Sequence, residues 1–156
     1  MKIINFMGGL LLAIPLNSSE IVNTPDKPHS QITVQAKKVE VKTSNLINAL
    51  IQVESNGNDS CIGDKHMIIP SIGCLQIRPI MVREVNRILK IQQSNKRFKH
   101  KDRWSRDKSI EMFNIWKDYH HPLSSYEIIA RCWNGGPKGW KKKSTIKYWN
   151  KVQKYL

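Results

Sequence analysis

Three things are scarce in this 156-residue chain: acid, cysteine and uninterrupted apolar sequence. Twelve Asp and Glu stand against 26 Lys and Arg, a formal net charge of +14. That imbalance favours contact with polyanions such as nucleic acid, anionic lipid or an acidic cell wall, and charge alone does not choose among them. The three cysteines, Cys61, Cys74 and Cys132, form no C-x-x-C pair and no zinc spacing with the five histidines, so neither a metal site nor a cofactor is expected. In an exported protein, Cys61 and Cys74 are candidates to bridge the loop between them and leave Cys132 free; three small buried side chains is the equal alternative. The main apolar stretch, Ile3 to Leu16, is broken by Asn5, Gly8-Gly9 and Pro15 and is shorter than the roughly 20 residues that cross a bilayer, so no stable membrane span is expected. No internal repeat is visible, and strand signals are sparse.

What is present divides the chain into three parts. Residues 1–19, with Lys2 ahead of the apolar stretch and Ser18-Ser19 after it, have the pattern of a secretory signal peptide, and no Cys follows to mark a lipoprotein. Residues 20–42 are rich in Pro, Ser, Thr and Lys, lack a helical period and are expected to be a linker, with a short extended piece at Gln31 to Val34. Residues 43–156 form the expected folded domain, a monomer. With 40% hydrophobic side chains overall, the chain is enough for one modest core.

Within that domain the periodicity is helical. Thr43 or Ser44 caps a helix with Leu46, Ile47, Leu50 and Val53 on one face; Glu54, four residues after Leu50, shares that face, and Ser55-Asn56-Gly57-Asn58 ends the helix. The acid therefore points inward at the mouth of a loop. A second helix is expected from Pro79 to Lys90 with Pro in its first turn. Gln92 to Arg103 is strongly basic and expected to be an exposed loop or frayed end. Ser105 caps a third helix bearing Ile110, Phe113 and Trp116, which ends near Pro122; His120-His121 beside it has the look of a surface turn. Ser124-Ser125-Tyr126-Glu127 fits a capping box for a fourth helix that stops at Asn134-Gly135-Gly136-Pro137, and a last helix, Thr145 to Tyr155, packs Tyr148, Trp149 and Val152. The fold class expected is mainly α, with an irregular or β-like region between Asn56 and Ser71.

Three segments carry the chemistry: Val53 to Asn58 (VESNGN), Ser71 to Pro79 (SIGCLQIRP) and Ala130 to Trp140 (ARCWNGGPKGW). In order and spacing they resemble the transglycosylase SLT domain, the lysozyme-like family of lytic transglycosylases and goose-type lysozymes. That family's pattern is a helix-ending Glu-Ser, then Gly-Leu-Met-Gln, then Ala-x-Tyr-Asn-x-Gly. Glu54-Ser55 matches the first motif. Gly73-Cys74-Leu75-Gln76 matches the second in part, with Cys74 and Leu75 in its two middle places, and Cys132-Trp133-Asn134-Gly135-Gly136 matches the third with Trp133 in the usual Tyr place. The resemblance spans roughly Ser44 to Leu156. It departs in one respect: Glu54 and Gly73 are 19 positions apart (73 − 54), longer than the family pattern, so the loop holding Gly63, Asp64, Lys65, His66 and Pro70 is enlarged.

The resemblance implies an α+β lysozyme-like fold and cleavage of the β-1,4 bond between N-acetylmuramic acid and N-acetylglucosamine in a peptidoglycan strand. Elementary chemistry agrees on Glu54: breaking a glycosidic bond requires a proton for the leaving oxygen, and a carboxyl desolvated against Leu50 and Val53 would keep one near neutral pH. In the family the same group then acts as base while the muramyl 6-hydroxyl attacks, so one carboxylate suffices. A hydrolytic lysozyme of the inverting kind needs a second carboxylate about 6.5–9.5 Å away; Asp59 and Asp64 are the nearby candidates. Ser55, Gln76 and Asn134 are expected to orient the acid or hydrogen-bond the sugar. Gly135-Gly136 is expected to supply positive φ and let a ring approach the backbone, and Trp133, Trp140 and Tyr148 are candidate sugar platforms. Two basic clusters, Lys96 to Arg103 and Lys138 to Lys143, suit either a polyanionic wall or nucleic acid. No helix-turn-helix, zinc or RNA-binding signature supports the nucleic-acid alternative, and export would remove its ligand. A non-catalytic glycan binder is the third reading. The expected location is periplasmic or extracellular, or a phage particle acting on the wall.

Overall fold

The computed structural model describes residues 44–156; the expected signal peptide, linker, extended piece and Thr43 cap lie outside the described residues. Five α-helices and short 3-10 turns dominate, and the mainly α class holds. Helix α1 covers 44–55, α2 Pro79–Ile91, α3 Arg106–His120, α4 Tyr126–Gly135 and α5 Ile146–Val152. No strand forms among the described residues; the β-like region reduces to isolated bridges pairing Ile72 with Ile62 and with Ile77. No described helix is long and apolar enough to cross a membrane.

Helix α1 is buried more broadly than its heptad stripe requires. Ala49 and Ile51 join Leu46, Ile47 and Leu50 inside, so a broad face of the helix lies against the core while Asn45, Asn48 and Gln52 stay exposed, and the last turn, Val53 to Ser55, is half-buried. Around it pack Val82, Val85 and Leu89 of α2, Met112, Phe113 and Trp116 of α3, Ile129 and Cys132 of α4 and Val152 of α5. Each such side chain contributes about 1.5–3 kcal/mol by leaving water. Pro79 stands in the first turn of α2, where its missing N–H costs nothing, and the Ser105 hydroxyl accepts from the Lys108 amide to cap α3.

Four expectations need correction. The cap of α4 is Ser125, whose hydroxyl accepts from the Ile128 amide, not Ser124; Glu127 is drawn instead into an i,i+4 pair with Arg131 at 2.6 Å, and Ser124 bonds His121 at 3.3 Å. The basic stretch before α3 is not simply exposed. Phe98, Asp102 and Arg103 are buried there, the latter two in a 3-10 turn, His100–Trp104, because Asp102 accepts from the Lys99 amide and from Lys108. The last helix changes to a 3-10 turn after Val152. His120, expected in a surface turn, bonds Glu84 of α2 at 2.7 Å and so ties α2 to α3.

The loop between α1 and α2 is held by one buried cation. Arg103 donates from Nη1 to the Ile77 and Pro70 carbonyls at 2.9 and 3.1 Å and from Nε to His100 at 2.9 Å. Carbonyl dipoles here replace the water that burial removed. Gly73 makes the approach possible: at φ +80 it lies so close that a Cβ would sit 2.0 Å from the Arg103 carbonyl oxygen. Gly73→Ala should therefore combine left-handed strain with a backbone clash and cost about 2–4 kcal/mol. Urea unfolding of the two proteins measures this, and an unchanged midpoint would show that the loop does not press on the 3-10 turn.

Candidate functional site

The last turn of α1 delivers Glu54 to the edge of the core. The chain leaves the helix through Asn56 at φ +53 and Gly57 at φ +79, with the Asn56 amide donating to Gln52 and the Gly57 amide to Ile51. This reversal ends the helix immediately after the acid. Ser55 turns back on the helix, its hydroxyl donating to the Ile51 carbonyl at 3.1 Å, so its side chain is spent on the helix end and does not contact Glu54.

The carboxyl's partner comes from 94 residues away: the Tyr148 hydroxyl of α5 donates to Glu54 Oε1 at 2.6 Å. Burial dominates the acid's chemistry and pushes its pKa from 4.5 up to about 7; the Tyr148 hydrogen bond pulls it down, and the negative charge of Asp64 adds to the rise. No cation pairs with Glu54 among the described residues. The Tyr148 phenol, raised well above its ordinary value by burial and by Glu54, stays a donor. A helix C-terminus also disfavours an ionised acid, because the macrodipole is negative there. The site thus holds a carboxyl that is half protonated near neutral pH and oriented by one neutral donor.

The two loop acids differ. Asp64, at φ +44, is held in an ion pair with Arg78 at 2.6 Å, which keeps its carboxyl below the usual range. It is near enough to Glu54 to affect it electrostatically. Asp59 pairs with Arg106 at 2.9 Å, and Arg106 also donates to the Gly57 carbonyl at 2.6 Å, fastening the start of α3 to the turn that follows Glu54.

The remaining candidates fall into different surroundings. Gln76 does not bond Glu54: its side-chain amide donates to the Cys61 and Gly73 carbonyls at 3.2 and 2.8 Å and accepts from the Ser71 hydroxyl at 3.0 Å, so it stitches the loop between α1 and α2 from within. Asn134 is exposed at the end of α4 and makes no side-chain hydrogen bond among the described residues, which leaves its amide free for a ligand. Trp133 packs edge-on against Phe113 and Trp116, with ring centroids 5.0 and 5.2 Å apart; it is half-buried against the core. Gly135 is helical, and its reason is proximity, since a Cβ would lie 2.6 Å from the Thr145 methyl; Gly136 alone takes positive φ, at +80. Trp140 is 46% exposed, with the Lys141 ammonium 4.9 Å from its ring centroid. Tyr148 was expected as a sugar platform; its hydroxyl contact with Glu54 gives it a different position. Cys61, Cys74 and Cys132 are free thiols, the last two buried, so no bridge spans the loop. Among the described residues no group of three or more His, Cys, Asp or Glu is placed to hold a metal ion.

Sequence reasoning missed the pairing of Tyr148 with Glu54 and the Arg106 clasp. The one available signal was Tyr148 standing four residues before buried Val152, which places it on the inward side of α5. Compared with known proteins, the chain matches no protein-family model and no curated protein.

Burial of Glu54 makes stability depend on pH. Below pH 4.5 the carboxyl is protonated in both states; as pH rises from 4.5 to about 7 the unfolded group ionises first, and stability falls by up to about 3 kcal/mol. Glu54→Gln lacks this penalty. Thermal melts should show the variant's advantage over wild type growing across that interval and levelling off above it; an advantage independent of pH would contradict the raised pKa.

Proposed function

We propose that this protein cleaves the β-1,4 bond between N-acetylmuramic acid and N-acetylglucosamine in peptidoglycan, as a lytic transglycosylase on a lysozyme-like scaffold, exported or carried to the wall. The observation that carries the reading is a Glu54 carboxyl raised to about 7 and held by Tyr148 at 2.6 Å. The order of the three motifs around Glu54, Gln76 and Asn134 adds to it.

In this mechanism Glu54 gives its proton to the glycosidic oxygen as positive charge develops on the muramyl ring. The carboxylate so formed is stabilised by the Tyr148 hydroxyl, which tightens as charge appears on Oε1. Glu54 then takes the proton of the muramyl 6-hydroxyl as that oxygen attacks the anomeric carbon, which closes the anhydro ring and restores the acid. Asn134 offers an unengaged amide to the sugar, while Gln76 shapes the loop that borders it. No cofactor enters the scheme.

A hydrolytic lysozyme is the second reading, favoured by the nearness of Asp64, whose negative charge acts on Glu54. A base must take a proton from water, and the Arg78 pair lowers the basicity of Asp64, so the single-carboxylate route fits better. The basic, nucleic-acid-binding and glycan-binding alternatives predict no turnover.

Zymography on purified cell wall with wild type and Glu54→Gln tests the proposal. Clearing by wild type with a loss of about 10²–10⁴-fold in the variant is expected for a general acid. Clearing by both proteins, or by neither, would contradict it. Mass analysis of the fragments should show anhydro ends; reducing ends would favour the hydrolase.

A further inference from the structure

The last acid in the sequence is Glu127; residues 128–156 contain Arg131, seven lysines and no carboxylate side chain. All seven lysines, from Lys138 to Lys154, are exposed, and none forms an ion pair among the described residues. The arrangement is also ordered. Lys147, Lys151 and Lys154 recur at i, i+4 and i+7, which puts them in one stripe on the outer side of α5 and the 3-10 turn after it. The buried side of that segment is Val152, with Tyr148 and Trp149 half-buried.

Large apolar side chains of the same segment are exposed as well: Trp140 at 46%, Ile146 at 43%, Tyr155 at 55% and Leu156 at 45%. The chemistry of this mixture discriminates between partners. A hydrophilic polyanion, whether nucleic acid or a wall polymer, would engage the lysines and stack on Trp140, but would leave Ile146 and Leu156 in water. A bilayer headgroup layer takes both parts: phosphates meet the ammonium groups, the amphipathic Trp and Tyr rings lie at the interface, and the aliphatic groups enter the acyl boundary.

We infer that the lysine face formed by residues 138–156 is a peripheral docking surface for a bilayer carrying anionic phospholipid. Tyr148, on a neighbouring side of α5, would then hold the Glu54 pair within about one helix diameter, roughly 10–12 Å, of the headgroups. Docking would confine the site to a thin layer next to the membrane. The inference concerns binding alone and stands whether or not the chain cleaves peptidoglycan.

The test is partition of the full chain onto phosphatidylcholine vesicles with and without phosphatidylglycerol, over a series of salt concentrations. Wild type should bind only the phosphatidylglycerol vesicles. Replacing Lys147, Lys151 and Lys154 by Gln should weaken binding by roughly a hundredfold, at about fivefold per lysine, and flatten the salt dependence. A triple Lys→Arg variant at those positions should bind like wild type. Replacing Arg83, Lys90 and Lys101 by Gln removes the same charge elsewhere and should change binding by less than about threefold, since scattered exposed charges beyond a Debye length are screened. Ile146→Ser with Trp140→Ala should weaken binding at high salt, where charge counts least. Failure of wild type to bind anionic vesicles, equal weakening by the two Gln triples, or tighter binding to duplex DNA than to the vesicles would each overturn the inference.

Discussion

A carboxyl confined at the end of a core-packed helix, with no cation paired to it among the described residues, is the constraint on which the rest of this structure turns. Helix α1 packs one broad face on the core, with Leu50 fully enclosed, and Glu54 rides on the same face one turn later. Removing a carboxylate from water without a positive partner is so costly that the group keeps its proton instead. The Tyr148 hydroxyl offsets part of that cost, and only part, because a neutral donor stabilises an anion less than an ammonium or guanidinium does. The resulting pKa of about 7 is that of a group able both to give and to recover a proton near neutral pH.

Keeping the acid in that state depends on a surrounding frame made from unlike parts. Arg103 gathers the Pro70 and Ile77 carbonyls, Gln76 binds Cys61 to Gly73 across the same loop, and Arg106 grips both Asp59 and the Gly57 carbonyl. These two guanidinium groups are thus spent on the loop, and no arginine pairs with Glu54 among the described residues. Arg78 completes the pattern by holding Asp64 ionised, which leaves a negative charge near the site. A cation released toward Glu54 would lower its pKa and remove its ability to donate.

Local features were legible in the sequence. Pro79 at the head of α2, Ser105 before α3, Gly136 after α4 and the inward direction of Glu54 all follow from the chemistry of one or two turns. Features set by distant partners were not. Tyr148 and Glu54 lie 94 residues apart, and nothing in either neighbourhood names the other. Gln76 and Trp133 occupy motif positions that pointed to sugar, yet their contacts are with Cys61, Gly73 and Ser71 in one case and with Phe113 and Trp116 in the other. The cap of α4 slipped from Ser124 to Ser125 because two adjacent serines satisfy the same local rule and His121 engages the first. Arg103 lay inside a run whose many charges argued for exposure, and its burial depends on carbonyls contributed by a loop about thirty residues earlier.

The central claim is the protonation of Glu54, and it can be observed directly. With glutamate side-chain carboxyls labelled with carbon-13, NMR titration of the wild-type protein, assigned by comparison with Glu54→Gln, should show the Glu54 resonance moving with a midpoint near 7. A midpoint near 4.5, the value of an ordinary solvated glutamate, would contradict the account.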